Sequence, residues 1–104
     1  MIHFHLCKYW FDLIKSGKKT SEYRFCSCVN ENLLKKEMDN IRPCIKFYSG
    51  YPDKDDVDRI IIKYIEDVSL VQFKNLPDNE RKFFDENGYY SLEDLFYKID
   101  LYDC

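Results

Sequence analysis

Hydrophobic and polar positions alternate in several short segments of the chain, and a period of two is typical of β-strands. In "IHFHLC", Ile2, Phe4 and Leu6 share one side of such a strand. The same period returns in "CIKFYSGY", in the long β-branched run "RIIIKYIEDVSLV" and in the closing "FYKIDLYD". The pattern therefore predicts strands at both ends of the chain and one long strand near its middle.

Between these strands, apolar residues recur at helical spacing. Trp10, Leu13 and Ile14 stand at i, i+3 and i+4 in "KYWFDLIKSG", and Gly17 ends that segment. Two further helices are predicted in "VNENLLKKEMDN", with Asn30 as the N-cap, and in "LPDNERKFFDENG", which Gly88 ends. The predicted order is β–α–β–α–β–β–α–β.

The length of 104 residues supports one domain, covering residues 1–104, with a modest core. With 45% hydrophobic and 17% aromatic residues, the chain can bury such a core. Non-consecutive strands in so small a chain hide their edges best when the sheet curls. We therefore predict an α+β fold, a small mixed β-barrel flanked by short helices.

Neither a membrane span nor a secretion signal is visible in the sequence. A run of about 18 apolar residues would be needed to cross a bilayer, and the chain has none. The first segment, "MIHFHLCKYW", lacks the charged-then-apolar layout of a signal peptide. We expect a cytoplasmic protein without a membrane partner.

Charge is unevenly distributed along the chain. The net charge of −3 argues against a nucleic-acid binder that works by bulk positive charge. Residues 1–50, however, carry nine Lys and Arg against five Asp and Glu, whereas residues 51–104 carry seven against fourteen. A local basic face in the first half is compatible with the acidic total.

Soft metal ligands occur at two places. His3, His5 and Cys7 alternate in the first segment, and Cys26 and Cys28 alternate in a later one. Neighbouring strands would let them form a tetrahedral zinc site. Cys-x-Cys is not the usual zinc knuckle, and five thiols is an odd number in a chain where small apolar cysteines pack well. We assign no metal and no cofactor, and we expect reduced thiols.

The segment "KTSEYRF" concentrates functional side chains on one side of a predicted strand. Its apolar side would hold Tyr23 and Phe25, and its outward side would hold Thr20, Glu22 and Arg24. Alternate positions stand about 7 Å apart, the scale of a nucleobase edge or a phosphate. Arg24 offers a planar fork and Glu22 an acceptor for an exocyclic amine. The alternative is a solvated Glu–Arg pair worth about 0–1 kcal/mol.

"FDLIKSGKKTSEYR" resembles the signature of ASCH domains, a branch of the PUA-like superfamily. Members carry a helix, then Ser/Ala-Gly-x-Lys-Thr, then alternating residues that end in Arg. The residues that match are Gly17, Lys19, Thr20, Glu22 and Arg24. "IKFYSGYP" and "FYKIDLY" are similar to the second and the closing barrel strands of short ASCH proteins from phages and bacteria.

The resemblance implies a PUA-like barrel with a cleft at the Gly-Lys-Lys-Thr turn and the following strand. Family members are associated with recognition of RNA or modified nucleosides. We therefore expect a binding module for RNA, a nucleotide or a modified nucleoside. Tyr48 and Tyr51 would add a stacking platform near the cleft. The candidate binding residues are Lys18, Lys19, Thr20, Glu22, Arg24, Tyr48, Ser49 and Tyr51.

Two alternatives stay open. One ASCH subgroup resembles amidohydrolases that deacetylate N4-acetylcytidine, and its candidates in this chain are Lys19, Thr20, Glu22 and Glu86. Glu22 stands where that subgroup has a Thr nucleophile, and a carboxylate beside Lys19 favours a charged lysine over a general base. We expect such hydrolysis to be absent or feeble. The other alternative is a protein-interaction module of phage origin, with an exposed apolar patch and no affinity for nucleotides.

Overall fold

The computed structural model describes residues 1–103. Its strands and helices follow the predicted order: β1 (Ile2–Leu6), α1 (Lys8–Lys15), β2 (Ser21–Phe25), α2 (Cys28–Met38), β3 (Cys44–Ser49), β4 (Ile60–Gln72), α3 (Asp78–Asn87) and β5 (Leu95–Asp103). Two short 3₁₀ turns, Val57–Arg59 and Phe73–Asn75, flank β4. Over residues 1–103, no helix combines the length and the apolar composition required to cross a bilayer.

The five strands form one curled, mixed sheet, a half-barrel, in the order β1-β3-β4-β5-β2. β1 runs parallel to β3, and the other neighbouring pairs are antiparallel. The register of β4 against β5 shifts between Ile65 and Asp67, and such a bulge bends and twists a strand. The 13 residues of β4 can therefore pair with β3 at one end and with β5 along the curve. The predicted α+β class and curled mixed sheet are confirmed.

Two apolar clusters fill the two sides of the sheet. The larger one lies on the concave side, where Ile45, Phe47 and Ile99 are fully buried. α1 closes this cluster with Phe11 and Ile14, so the short amphipathic helix lies against the sheet. The predicted stripe is confirmed for Trp10 and Ile14, but Leu13 is only partly buried and Phe11 is buried in its place. The smaller cluster is aromatic and is built on Phe73, Leu76 and Phe96, with Phe84 of α3 packed against it.

The first turn of α2 differs from its predicted form. Ser27, not Asn30, is the N-cap, and its side chain accepts a hydrogen bond from the Asn30 backbone nitrogen at 3.1 Å. The Asn30 side chain instead donates to the carbonyl oxygen of Phe25 at 2.9 Å. Ser and Asn are comparable caps, and the helix begins earlier because the chain turns directly after β2.

Candidate functional site

The turn after α1 places Lys19 at the edge of the sheet. Gly17 has φ +80°, the left-handed conformation that favours glycine after a helix. Its nitrogen donates to the carbonyl oxygen of Ile14 at 3.1 Å, and the Lys19 nitrogen donates to that of Leu13 at 3.0 Å. The chain therefore reverses within a few residues and enters β2 with Lys19 directly beside the helix.

The orientation of β2 is the reverse of the predicted one. Glu22 is paired with Ile99 of β5, and Arg24 is paired with Tyr97. Paired residues in a sheet share a face, and Ile99 belongs to the concave core. Glu22 and Arg24 therefore point into the half-barrel and not outward.

The apolar residues of β2 lie on the convex side. Tyr23 packs against the aromatic cluster of Phe73, Leu76 and Phe96, and the rings of Phe25 and Phe96 meet edge to face at 5.5 Å. Alternation of apolar and polar residues separates the two faces of a strand, but it does not show which face lies on the concave side of the sheet. The prediction was wrong because α3 and the second 3₁₀ turn cover the convex face as well.

Glu22 is the centre of a chain of buried charges. The side chain of Lys19 donates from Nζ to Glu22 Oε1 at 3.0 Å, and Arg24 Nη2 donates to Glu22 Oε2 at 3.1 Å. Lys19 Nζ also forms a close ion pair with Glu80 of α3. Glu22 and Glu80 are each only 4% exposed. We call the row Arg24–Glu22–Lys19–Glu80 the charge chain.

Aromatic rings hold both cations of the charge chain. Lys19 Nζ lies 4.3 Å from the ring centroid of Trp10 in α1. Arg24 Cζ lies 3.8 Å from the ring centroid of Phe4, on the other edge strand, β1. Cations are attracted to the faces of aromatic rings at these distances. The Arg24–Phe4 contact spans the open side of the half-barrel, where β1 and β2 are the two free edges.

The two carboxyl groups of the charge chain have pKa values displaced in opposite directions. Burial acts to raise the pKa of Glu22, but the adjacent charges of Lys19 and Arg24 outweigh it and hold that pKa below its usual value. Burial raises the pKa of Glu80, and Lys19 only partly offsets that effect. On acidification, Glu80 therefore takes up a proton before Glu22 does.

A cavity of about 150 Å³ lies at this open side of the half-barrel. The charge chain lines one part of it, and apolar side chains of β1, α1 and α3 line the rest. An apolar cavity of that volume admits a benzene-sized ring. The lining residues are His5, Leu6, Cys7, Trp10, Lys19, Glu22, Tyr23, Arg24, Glu80, Phe83 and Phe84.

Five of the eight predicted binding residues lie outside this cavity: Lys18, Thr20, Tyr48, Ser49 and Tyr51. Lys18 and Thr20 line an adjoining groove of about 310 Å³, which shares Lys19, Tyr23 and Glu80 with the cavity. Ser49 is buried on β3, and its carbonyl oxygen accepts two hydrogen bonds from the Arg59 side chain, at 3.1 and 2.6 Å. The structure therefore brings together Lys19, Glu22 and Arg24, and it places Thr20 outside.

The carboxyl group that accompanies Glu22 in the cavity belongs to Glu80 and not to Glu86. Glu86 is exposed on α3, outside the cavity. Glu80 was missed in the sequence, although it stands three and four residues before Phe83 and Phe84 and thus on their helical face. An acidic residue within an apolar helical stripe was the available signal.

Tyr48 and Tyr51 also lie outside the cavity, although they adjoin its wall. His5, which lines the cavity, stacks on Tyr48 with a centroid distance of 4.6 Å and on Tyr51 with one of 4.3 Å. Tyr51 is 83% exposed. The rings of Tyr48 and Tyr51 thus form a stack with His5 that extends from the cavity wall onto the convex face of the sheet.

The soft metal ligands do not lie on two neighbouring strands: His3 and His5 lie on β1, whereas Cys26 follows β2 and Cys28 begins α2. β1 and β2 are the two edge strands and are not paired with each other in the sheet. In the described part of the chain, no group of three or more His, Cys, Asp or Glu residues is placed to hold a metal ion. Cys26 and Cys28 are free thiols.

Comparison with known proteins adds no assignment. The chain matches no protein-family model, no curated protein and no solved structure. The functional conclusion for this protein therefore depends on the cavity, on the charge chain and on the signature segment around Lys19.

Proposed function

We propose that the protein is an ASCH-type, PUA-like binding module that recognises RNA, a nucleotide or a modified nucleoside by taking one base into the cavity. The observation that carries this proposal is the charge chain, which brings hydrogen-bonding groups into a small pocket with aromatic walls. The curled mixed sheet is compatible with a PUA-like barrel, and the charge chain contains Lys19, Glu22 and Arg24 of the ASCH signature.

The shape of the cavity suits a flat ring. Its volume of about 150 Å³ is close to that of cavities that admit one aromatic ring. Trp10, Phe83 and Phe84 supply apolar surface for the faces of such a ring. Small-molecule sites usually combine such walls with a few polar groups that fix orientation.

The polar groups suit the edge of a base better than a phosphate. The two cations and two carboxyl groups of the charge chain nearly cancel, so the cavity offers no strong net attraction for an anion. The Arg24 side chain is 28% exposed, and the one hydrogen-bond partner of its guanidinium group among residues 1–103 is Glu22. Its remaining N–H donors can bind ring nitrogens or carbonyl oxygens of a base. Lys18 is exposed in the adjoining groove, where its ammonium group can contact a phosphate.

The geometry favours binding over acyl transfer. Thr20, the hydroxyl that the amidohydrolase alternative requires, lies in the groove and not in the cavity. Lys19 is held between two carboxyl groups and the face of Trp10. A lysine that activates a nucleophile needs its nitrogen directed at that nucleophile, and this nitrogen is directed at Glu22 and Glu80.

Intrinsic fluorescence provides the test, because Trp10 is the single tryptophan and lines the cavity. Titration with the four ribonucleosides, N4-acetylcytidine and a short single-stranded RNA is expected to change Trp10 emission for at least one ligand. Arg24→Ala should lower the affinity for that ligand about tenfold or more, because one contact to the base is lost.

The matched control is Lys54→Ala, which removes the same charge from an exposed loop position. It should leave the affinity unchanged, and the thermal melting of both variants shows whether they are folded. Equal losses in the two variants would indicate diffuse electrostatic attraction, and no response to any ligand would contradict the proposal.

A further inference from the structure

We infer, building on the proposed function, that the ligand is a single-stranded nucleic acid that continues from the cavity onto a stack of aromatic rings on the convex face of β1 and β3. This stack, here called the ring ladder, consists of His3, Tyr48, His5 and Tyr51. It extends the site from a pocket for one base to a surface for several nucleotides.

The rings of the ladder are nearly parallel and close together. His5 lies between the two tyrosines, inclined by 14° to Tyr48 and by 19° to Tyr51, with centroid distances of 4.6 and 4.3 Å. His3 lies 5.8 Å from Tyr48 at 24°. Stacked aromatic pairs have centroids about 4.5–7 Å apart. The parallel pairing of β1 with β3 produces this arrangement, since it sets His5 directly opposite Tyr48.

Hydrogen bonds hold the two histidines in place. His5 Nδ1 lies 2.8 Å from the carbonyl oxygen of Gly50, and His3 Nδ1 lies 2.8 Å from the Tyr48 hydroxyl oxygen. A carbonyl oxygen only accepts, so Nδ1 of His5 is the donor. A surface held in this way loses little conformational freedom when a base stacks on it.

The end of the ladder is open to a ligand. Among residues 1–103, Tyr51 has one ring contact, with His5, and 83% of the residue is exposed. One face of its ring is therefore available to a base. Base stacking on aromatic side chains tolerates any sequence because every base has a flat face.

Continuity and charge favour a nucleic acid strand as the occupant. His5 belongs both to the cavity wall and to the ladder, so a strand with one base in the cavity has its next nucleotides beside the rings. Lys46 Nζ lies 5.5 Å from the Tyr48 ring centroid, which places a cation near the phosphates of that strand. Aromatic platforms flanked by cations are the usual surface for single strands.

The test compares a six-nucleotide RNA with the best-bound nucleoside by Trp10 fluorescence and by calorimetry. The hexamer should bind at least tenfold more tightly than the nucleoside. Tyr51→Ala should weaken binding of the hexamer about tenfold more than binding of the nucleoside. Tyr51→Phe keeps the ring and should therefore bind the hexamer as tightly as the wild type does. Tyr89→Ala is the matched control, because Tyr89 is a fully exposed tyrosine outside the cavity and the ladder.

The possible failures are distinguishable. If a nucleoside binds in an Arg24-dependent manner but the hexamer gains nothing, the ladder inference is overturned and the proposed function stands. If Tyr51→Ala and Tyr89→Ala have equal effects on the hexamer, the ladder inference is likewise overturned. If neither the nucleoside nor the hexamer binds, both are overturned.

Discussion

A buried glutamate costs free energy unless its charge is compensated, and Glu22 is compensated on both oxygens. Lys19 binds one oxygen and Arg24 the other, at 3.0 and 3.1 Å. Removal of one partner from such a group commonly costs about 3–5 kcal/mol, because it leaves an unpaired buried charge.

The pH dependence of stability reports on the two carboxyl groups separately. Because the pKa of Glu22 is lowered in the folded state, its stabilising contribution is complete above the ordinary glutamate value of about 4.3 and is lost as the pH falls through the lower folded value. The pKa of Glu80 is raised, so its ionised form costs stability at neutral pH, and that cost is relieved as the pH falls through its folded value.

Two conservative variants therefore have opposite expected outcomes. Between pH 7 and pH 3, Glu22→Gln should lose less free energy of unfolding than the wild type, and Glu80→Gln should lose more. Urea denaturation at the two pH values measures both changes. Identical pH dependence in the two variants would contradict the opposite pKa displacements.

At the scale of elements, the turn between α1 and β2 determines where Lys19 lies. Gly17 has a positive φ of +80°, and a Cβ at this position would meet nothing within 4 Å. An alanine at this position would therefore lower the stability only through its left-handed backbone conformation, and not through a steric clash. The turn then delivers Lys19 to the face of Trp10, whose ring centroid lies 4.3 Å from Lys19 Nζ.

Gly17→Ala is expected to lower the free energy of unfolding by about 1–2 kcal/mol, the cost of left-handed backbone for a residue with a Cβ. Ser16→Ala, at the neighbouring position, is the control. Ser16 is exposed, and its hydroxyl donates to the Leu13 carbonyl oxygen at 3.2 Å. The free energy of unfolding of this variant should therefore fall by no more than about 0.5 kcal/mol. Urea titrations at pH 7 compare the two. An unchanged stability in Gly17→Ala would show that the turn relaxes.

At the scale of the whole molecule, the same strands hold both apolar clusters. β5 contributes Phe96 to the aromatic cluster and Ile99 to the concave core, and β4 contributes Val71 to the first and Ile65 to the second. Loss of either cluster therefore removes packing from strands that the other requires. Such coupling is typical of a single cooperative unit.

Cavity-creating substitutions in either cluster should accordingly affect one shared transition. Phe47→Ala in the concave core and Phe96→Ala in the aromatic cluster remove fully buried rings, and each should cost about 3–5 kcal/mol. Trp10 fluorescence and far-UV circular dichroism should report the same midpoint in each variant. Separate midpoints would contradict a single folding unit.

The order of the elements and several of their ends could be predicted from the amino-acid sequence alone. The helices ending before Gly17 and Gly88, and the buried positions Ile45 and Phe47, follow from local periodicity and turn chemistry. Lys19, Glu22 and Arg24 were recognisable as a group because they lie close together in one segment. Short-range features of this kind depend on neighbours in the chain, which the sequence displays directly.

The side of β2 that faces the cavity, and the residues that complete the site, depend on contacts between segments that are far apart in the chain. Both faces of β2 are covered, so alternation alone could not assign Glu22 to the concave side. Glu80 is 58 residues beyond Glu22, and His3 is 45 residues before Tyr48. Their partners are set by helix packing and by the parallel pairing of β1 with β3, because contacts between distant segments depend on how whole elements bury their apolar surfaces together.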